Sequence, residues 1–287
     1  MVRARSAAMP ACPSDPPRLR LVPKPEKKPR FARYIGIDYS GAEVPTSPLK
    51  GLRAYVADGD GPPREATTTE PGRKYWCRQA LTDWLAQRLG EDIPTLVGID
   101  HGFSFPLAYF EQYGLPDDWP AFLDDFAAHW PTDEPYMYVD FIRQGAFGDG
   151  AARMGSSRWR RLCEIRTGRA KSVFHFDVPG SVAKATFAGL TMLRRIRQET
   201  DGKAVFWPFD GFMPPAGASV VAEAYPSLVS HLYPRNGRTP DQHDAFCLCA
   251  WLQATDRAGR LSAFLEPSLS DAEREAVAIE GWILGLA

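Results

Sequence analysis

Short apolar runs and longer stretches with apolar residues at helical spacing take turns along this chain. Phe31–Tyr39 reads as a first strand, and Gly51–Asp58 as a second after the turn-rich 40–50 segment. Arg64–Thr69 is predicted to pair with the second strand across the Asp58-Gly59-Asp60-Gly61-Pro62-Pro63 turn, as a hairpin. Lys74–Leu89 places Trp76, Ala80, Leu81, Trp84, Leu85 and Leu89 on one helical face and stops at Gly90. Pro94–Asp100 is short and apolar on both faces, the pattern of a parallel strand in a sheet centre.

Residues 101–180 break this rhythm with clustered aromatics, prolines and glycines, and read as an irregular insertion or lid after the fourth strand. Ser181–Thr200 resumes as a helix, Val205–Asp210 and Ser219–Tyr225 as strands, and Thr239–Asp256 as a helix. That last helix carries its own start signal: Thr239 as cap, Pro240 in the first turn, and Gln242 completing a capping box. Asp271–Leu286 is predicted as a final amphipathic helix within a C-terminal extension, residues 257–287. The order gives an α/β fold with a mixed sheet flanked by helices. Right-handed crossovers make the first and fourth strands parallel neighbours.

Composition adds two constraints. With 44% hydrophobic residues, eight Trp and sixteen Phe, the chain can bury a full core without staples. Its net charge of -1 hides an asymmetry: residues 1–30 hold eight Lys or Arg against two acids, and the remainder holds 26 against 33. A basic, Pro-rich tail, expected to be disordered, thus precedes an acidic body. The five cysteines, Cys12, Cys77, Cys163, Cys247 and Cys249, lack metal-ligand spacing and read as reduced thiols. No run reaches the length of a membrane span, and prolines interrupt any signal-like segment, so a cytoplasmic protein is expected.

The chemistry concentrates in acids. Two strands end alike, in Gly36-Ile37-Asp38 and Gly98-Ile99-Asp100. An acid closing a buried strand is costly unless it is paired or binds a cation. Each glycine shares a face with its aspartate and is expected to clear room beside it. Glu223 interrupts an apolar strand, while Asp241 and Asp244 share a face at the start of a helix. Asp241 suits the helix dipole; Asp244 borders the apolar stripe. No Lys or Arg stands beside Glu223 or Asp244 in the local sequence, which makes Mg²⁺ or Mn²⁺ the economical partner. Asp210 is the reserve should Glu223 point elsewhere.

Taken in order, Gly-Ile-Asp, Gly-Ile-Asp with Phe103-Ser104-Phe105-Pro106, Ala222-Glu223-Ala224-Tyr225-Pro226 and His243-Asp244-Ala245 resemble the DUF429 family of predicted nucleases. The resemblance covers residues 31–256, including Gly180-Ser181-Val182 and Trp207-Pro208-Phe209-Asp210. It implies a ribonuclease H-like fold, with Asp38, Asp100, Glu223 and Asp244 as metal-binding, catalytic acids; Asp241, by its place beside Asp244 on the helix, is a further candidate ligand. His101-Gly102 departs from the family's small residue and proline after the second acid. His101 and His243 are candidate proton shuttles.

Arg153, Arg158, Arg160, Arg161, Arg166, Arg169 and Lys171 surround Trp159 on the insertion, a pattern suited to phosphate backbone and a stacked base. The expected activity is cleavage of DNA or RNA. Two other readings stand beside it. Asp38-Tyr39-Ser40-Gly41-Ala42 resembles the first phosphate loop of actin-like and sugar-kinase ATPases. Alternatively, the acids are structural, and the protein is a non-catalytic nucleic-acid or protein binding module.

Overall fold

A computed structural model describes residues 29–286; the basic tail expected over residues 1–30 lies almost wholly outside them. The first four strands form where the apolar pattern placed them, as β1 (Arg33–Tyr39), β2 (Leu52–Asp58), β3 (Arg64–Glu65) and β4 (Thr95–Asp100). Helix α1 (Arg78–Gly90) precedes β4. The insertion holds α2 (Leu107–Tyr113), α3 (Trp119–His129), α4 (Val139–Arg143) and α5 (Leu162–Thr167). There follow α6 (Ala183–Thr200), β5 (Ala204–Trp207), β6 (Ser219–Ala224), α7 (Pro240–Arg257), α8 (Leu261–Leu265), α9 (Asp271–Glu280) and β7 (Ile283–Leu284).

These strands form one mixed seven-stranded sheet, ordered β3-β2-β1-β4-β6-β5, with β7 pairing β6. The β1–β2 and β2–β3 pairs are antiparallel; β4 lies parallel to β1, and β6 parallel to β4, β5 and β7. Two expectations are corrected. The third strand is two residues long: Ala66 still donates its N–H to the Ala54 carbonyl at 2.9 Å, and the chain beyond it leaves β2. The final helix stops at Glu280, where Gly281 takes a positive φ of 82°, and the chain returns as β7 beside β6.

Strand alternation splits the core between the two sheet faces. Ile35, Ile37, Tyr39, Val97, Ile99 and Val221 face α1, α6 and the insertion. Tyr34, Leu96, Val220, Ala222 and Ala224 face α7. Helix α7 runs antiparallel to β1: Asp256 near its end accepts the Phe31 N–H at 3.0 Å and the Tyr34 hydroxyl at 2.9 Å. Cys249 meets the Tyr34 carbonyl at 3.3 Å.

This close approach explains Gly36. A Cβ there would lie 2.4 Å from both the Ala245 carbonyl oxygen and the Cys249 nitrogen. Gly98 leaves room in turn for Ala224 and Leu252, each 3.1 Å from such a Cβ. The space beside the aspartates is therefore taken by the backbone and side chains packed on this face, and not, as expected, by the carboxyl groups. Across the sheet, the insertion joins α6 through the rings of Phe105, Phe126, Phe174 and Phe187; Phe105 lies 4.6 to 5.7 Å from the other three. Such pairs contribute about 0.5–1.5 kcal/mol each beyond their burial.

Candidate functional site

Parallel pairing of β1 with β4 sets Asp38 opposite Asp100, the last residue pair of the ladder. Neighbouring strands lie about 4.8 Å apart, so two acids on one face at one register must interact. Helix α7 brings more negative charge. Its capping box is formed as the sequence predicts: Thr239 accepts the Gln242 N–H at 3.3 Å, and Gln242 accepts the Thr239 N–H at 3.0 Å. The first turns of α7 thus carry Asp241 and Asp244 to the carboxyl end of β1.

The electrostatic result is a site with too much negative charge. Asp38 is buried, and its carboxyl is pushed up to about 8, first by burial and then by Asp241 and Asp244. Ser40 opposes this by offering its hydroxyl and backbone N–H. Asp100 is half-buried. Its pKa is raised well above the carboxylate range by burial, and every charged neighbour acting on it is an acid: Asp38, Asp244 and Glu223. Asp244 is raised by burial and Asp241, while His243 and Arg235 pull it back.

Glu223 departs from the expected cage. Its register partner is Ile99, whereas Gly98 pairs Ala222, so Glu223 lies on the face opposite Asp38 and Asp100. Both its oxygens bind the buried Arg161 guanidinium at 2.7 Å, and one also accepts the Phe103 N–H at 3.0 Å. The cation missing near Glu223 in sequence comes from 62 residues away. Arg161 also binds Glu164 at 3.0 Å. Glu280 closes the network by accepting the Leu107 and Leu162 N–H groups at 2.8 and 2.7 Å. Removing one member of such a network leaves a buried charge uncompensated.

The reserve acid is occupied too. Asp210 takes Arg197 in a bidentate pair at 2.7 and 2.8 Å and accepts the Phe206 N–H.

Among the described residues, no group of three or more His, Cys, Asp or Glu is arranged to hold a metal ion. The expected four-carboxylate cage is not assembled. What fits a hard dication is the donor chemistry of Asp38, Asp100 and Asp244, with Asp241 at their border, and the charge they leave uncompensated.

The basic insertion is tied mostly to the protein itself. Arg161 is buried; Arg160 donates to the Glu164 and Ala170 carbonyls, Arg166 pairs with Glu273, and Lys171 donates to the Pro179 carbonyl. Arg153 pairs with Asp125. Trp159 is half-buried against the core, its carbonyl accepting the Ser172 hydroxyl at 2.6 Å. Only Arg158 and Arg169 of the predicted set are exposed and without a carboxylate partner among the described residues. The predicted stacking and phosphate-binding cluster is therefore corrected to these two, with Lys171 lining a small cleft together with Asp100, Arg161 and Glu223.

His101 is corrected as well. It is buried between Tyr39 and Phe103, with ring centroids at 4.8 and 5.2 Å. Its Nδ1 meets the Gly102 carbonyl at 2.8 Å, and its Nε2 faces Gly189, where a Cβ would lie 2.5 Å away. Burial lowers its pKa to about 4, so it stays neutral and packs instead of shuttling protons. His243 remains beside Asp244, its ring nitrogens 3.5 Å from the Cys247 sulfur.

The loop after β1 is also occupied: Gly41 packs against Leu49, and Ser40 serves Asp38. Sequence reasoning missed Arg235, the part Ser40 plays at Asp38, and Arg161 as the partner of Glu223, having placed Arg161 among the phosphate-binding cations. Of these, Arg235 had a visible signal, the Asn236-Gly237 turn directly before the α7 cap. No protein-family model, curated protein or solved structure matches the chain.

Proposed function

We propose that the protein is a divalent-cation-dependent phosphodiesterase acting on DNA or RNA, built on the ribonuclease H-like arrangement that its DUF429 resemblance implies. The observation that carries this reading is the Asp38–Asp100 register pair, with Asp241 and Asp244 close enough to raise the pKa of Asp38. A hairpin-first mixed sheet with a parallel β4 beside β1 supports the fold assignment.

Asp38, Asp100 and Asp244 would hold Mg²⁺ or Mn²⁺, with Asp241 bordering them. A bound dication there supplies charge neutralisation, water activation and stabilisation of a leaving oxygen. The chain's own part is positional. Ser40 orients Asp38, the sheet ladder fixes Asp100, and the capping box sets the direction of Asp244. Glu223 leaves the proposed ligand set and becomes a structural partner of Arg161.

The test is a Mg²⁺/Mn²⁺ cleavage screen over single-stranded, duplex, hybrid and branched nucleic acids, comparing wild type with Asp38→Asn and Asp244→Asn. Cation-dependent cutting by wild type alone is expected. Equal cutting by all three proteins would remove the reading. Stabilisation by ATP with no cleavage would favour nucleotide binding instead.

A further inference from the structure

The turn leading into α7 holds two arginines in an arrangement that the proposed chemistry does not yet use. Asn236 and Gly237 have φ angles of 47° and 76°, and the Arg238 N–H donates to the Arg235 carbonyl at 3.0 Å. Consecutive left-handed residues closed by that bond make a type I′ turn, which holds the Cα atoms of Arg235 and Arg238 within about 7 Å of each other.

Arg238 is held flat. Its guanidinium carbon lies 3.5 Å from the ring centroid of Phe246. Tyr55 and Tyr233 pack edge-on against the same ring, at 5.6 and 6.0 Å. Its hydrogen bonds run at 3.3 and 3.5 Å to the Arg235 and Pro234 carbonyls. Arg235 is exposed and sits in the turn that leads directly into α7, whose first turns carry Asp241 and Asp244.

Neither arginine has a carboxylate partner among the described residues. Arg33, Arg53, Arg143, Arg153, Arg194, Arg195 and Arg197 all have one. Glu65, which approaches α7, is already shared by Arg53 at 2.9 Å and Gln242 at 2.8 Å. Two guanidinium groups without a carboxylate partner, at the head of the helix that carries Asp241 and Asp244 and in a body with seven more acids than bases, can take an anion from outside.

We infer that Arg235 and Arg238 form a phosphate-binding pair that seats the backbone of the nucleic acid beside Asp244. This rests on the phosphodiesterase reading and deepens it by locating the substrate track. A polyanion approaching four aspartates is repelled unless cations stand at the entrance, and most of the insertion's cations are bound internally. Arginine is suited to the task because its planar fork engages two phosphate oxygens together. Stacking on Phe246 also reduces the freedom Arg238 loses on binding. The track then runs on the β2 side of the aspartates, across the site from the insertion.

The test is fluorescence anisotropy with labelled single-stranded and duplex oligonucleotides in EDTA, across a salt series, so that binding is read without cleavage. Arg235→Ala, Arg238→Ala and their double variant are compared with wild type and with an Arg158→Ala/Arg169→Ala double variant. Each turn substitution is expected to weaken binding about three- to tenfold, regardless of sequence, and to reduce the salt slope by about 1. Arg235 is exposed and supports no packing, so its variant reports on binding even if Arg238→Ala loosens Phe246. Arg238→Lys, which keeps the charge but not the fork, is expected to recover only part of the affinity.

Wild-type affinity and salt slope in the Arg235→Ala protein and the turn double variant would overturn the assignment while leaving the phosphodiesterase reading intact. So would a loss confined to the Arg158/Arg169 variant. A wild-type protein that neither binds nor cuts any oligonucleotide would overturn both.

Discussion

Asp38 and Asp100 are register partners at the end of the parallel β1–β4 ladder, both displaced toward the protonated form by burial and by neighbouring acids. In the cation-free protein this relationship costs stability as pH rises. The folded Asp38 titrates near 8, against about 3.9 in an unfolded chain. Between those values the folded state keeps a proton that the unfolded state has released. The stabilisation is complete below about pH 4 and is lost as pH climbs through about 8, by at most about 1.4 kcal/mol per pH unit from this group.

Urea unfolding in EDTA is therefore expected to show a midpoint that falls from pH 5 to pH 8 in wild type. Asp38→Asn should flatten that fall and be the more stable protein at pH 8. Parallel profiles for the two would show that Asp38 is ionised at ordinary cost.

Adding Mn²⁺ or Mg²⁺ should reverse the penalty. A cation that binds only the folded state at 100 times its Kd stabilises it by about 2.7 kcal/mol. Wild type is expected to melt several degrees higher in millimolar Mn²⁺, with the gain growing as pH rises and the aspartates ionise. Asp38→Asn and Asp244→Asn should lose most of that gain. A thermal scan in which both variants respond as wild type does would place cation binding elsewhere.

Glu223 should behave in the opposite manner. Glu223→Gln removes the charge that balances Arg161 and turns an amide N–H₂ toward an N–H of Arg161, where only an acceptor fits. A loss of about 3–5 kcal/mol is expected, read as a lower urea midpoint, with the Mn²⁺-induced gain in melting temperature retained. Full stability combined with loss of that gain would return Glu223 to the proposed ligand set.

Gly36→Ala tests the seam between β1 and α7. The added Cβ meets backbone atoms of α7 at 2.4 Å, and backbone cannot rotate aside. We expect destabilisation of about 3 kcal/mol or more. Gly90→Ala, at the end of α1 with nothing within 4 Å of its Cβ, should be neutral or stabilising by up to about 1 kcal/mol. Similar melting temperatures for the two variants would mean that α7 does not seat as closely as described.

The sequence by itself determined the α/β class, the first four strands, the positions of α6 and α7, and the adjacency of Asp38 and Asp100. Those follow from local regularities: alternation within strands, helical spacing, the Thr239 capping box, and the handedness of crossovers. Tertiary structure alone decided which carboxylates stay uncompensated. Neither Glu223 nor Asp244 has a cation beside it in the chain, yet strand pairing puts Glu223 on the other face, where Arg161 arrives through the insertion. The same holds for the insertion's cations and His101, whose partners are carbonyls, acids and rings brought close only by folding. Periodicity reports which face a residue occupies, whereas the charge it meets there depends on contacts between segments dozens of residues apart, and no local pattern records them.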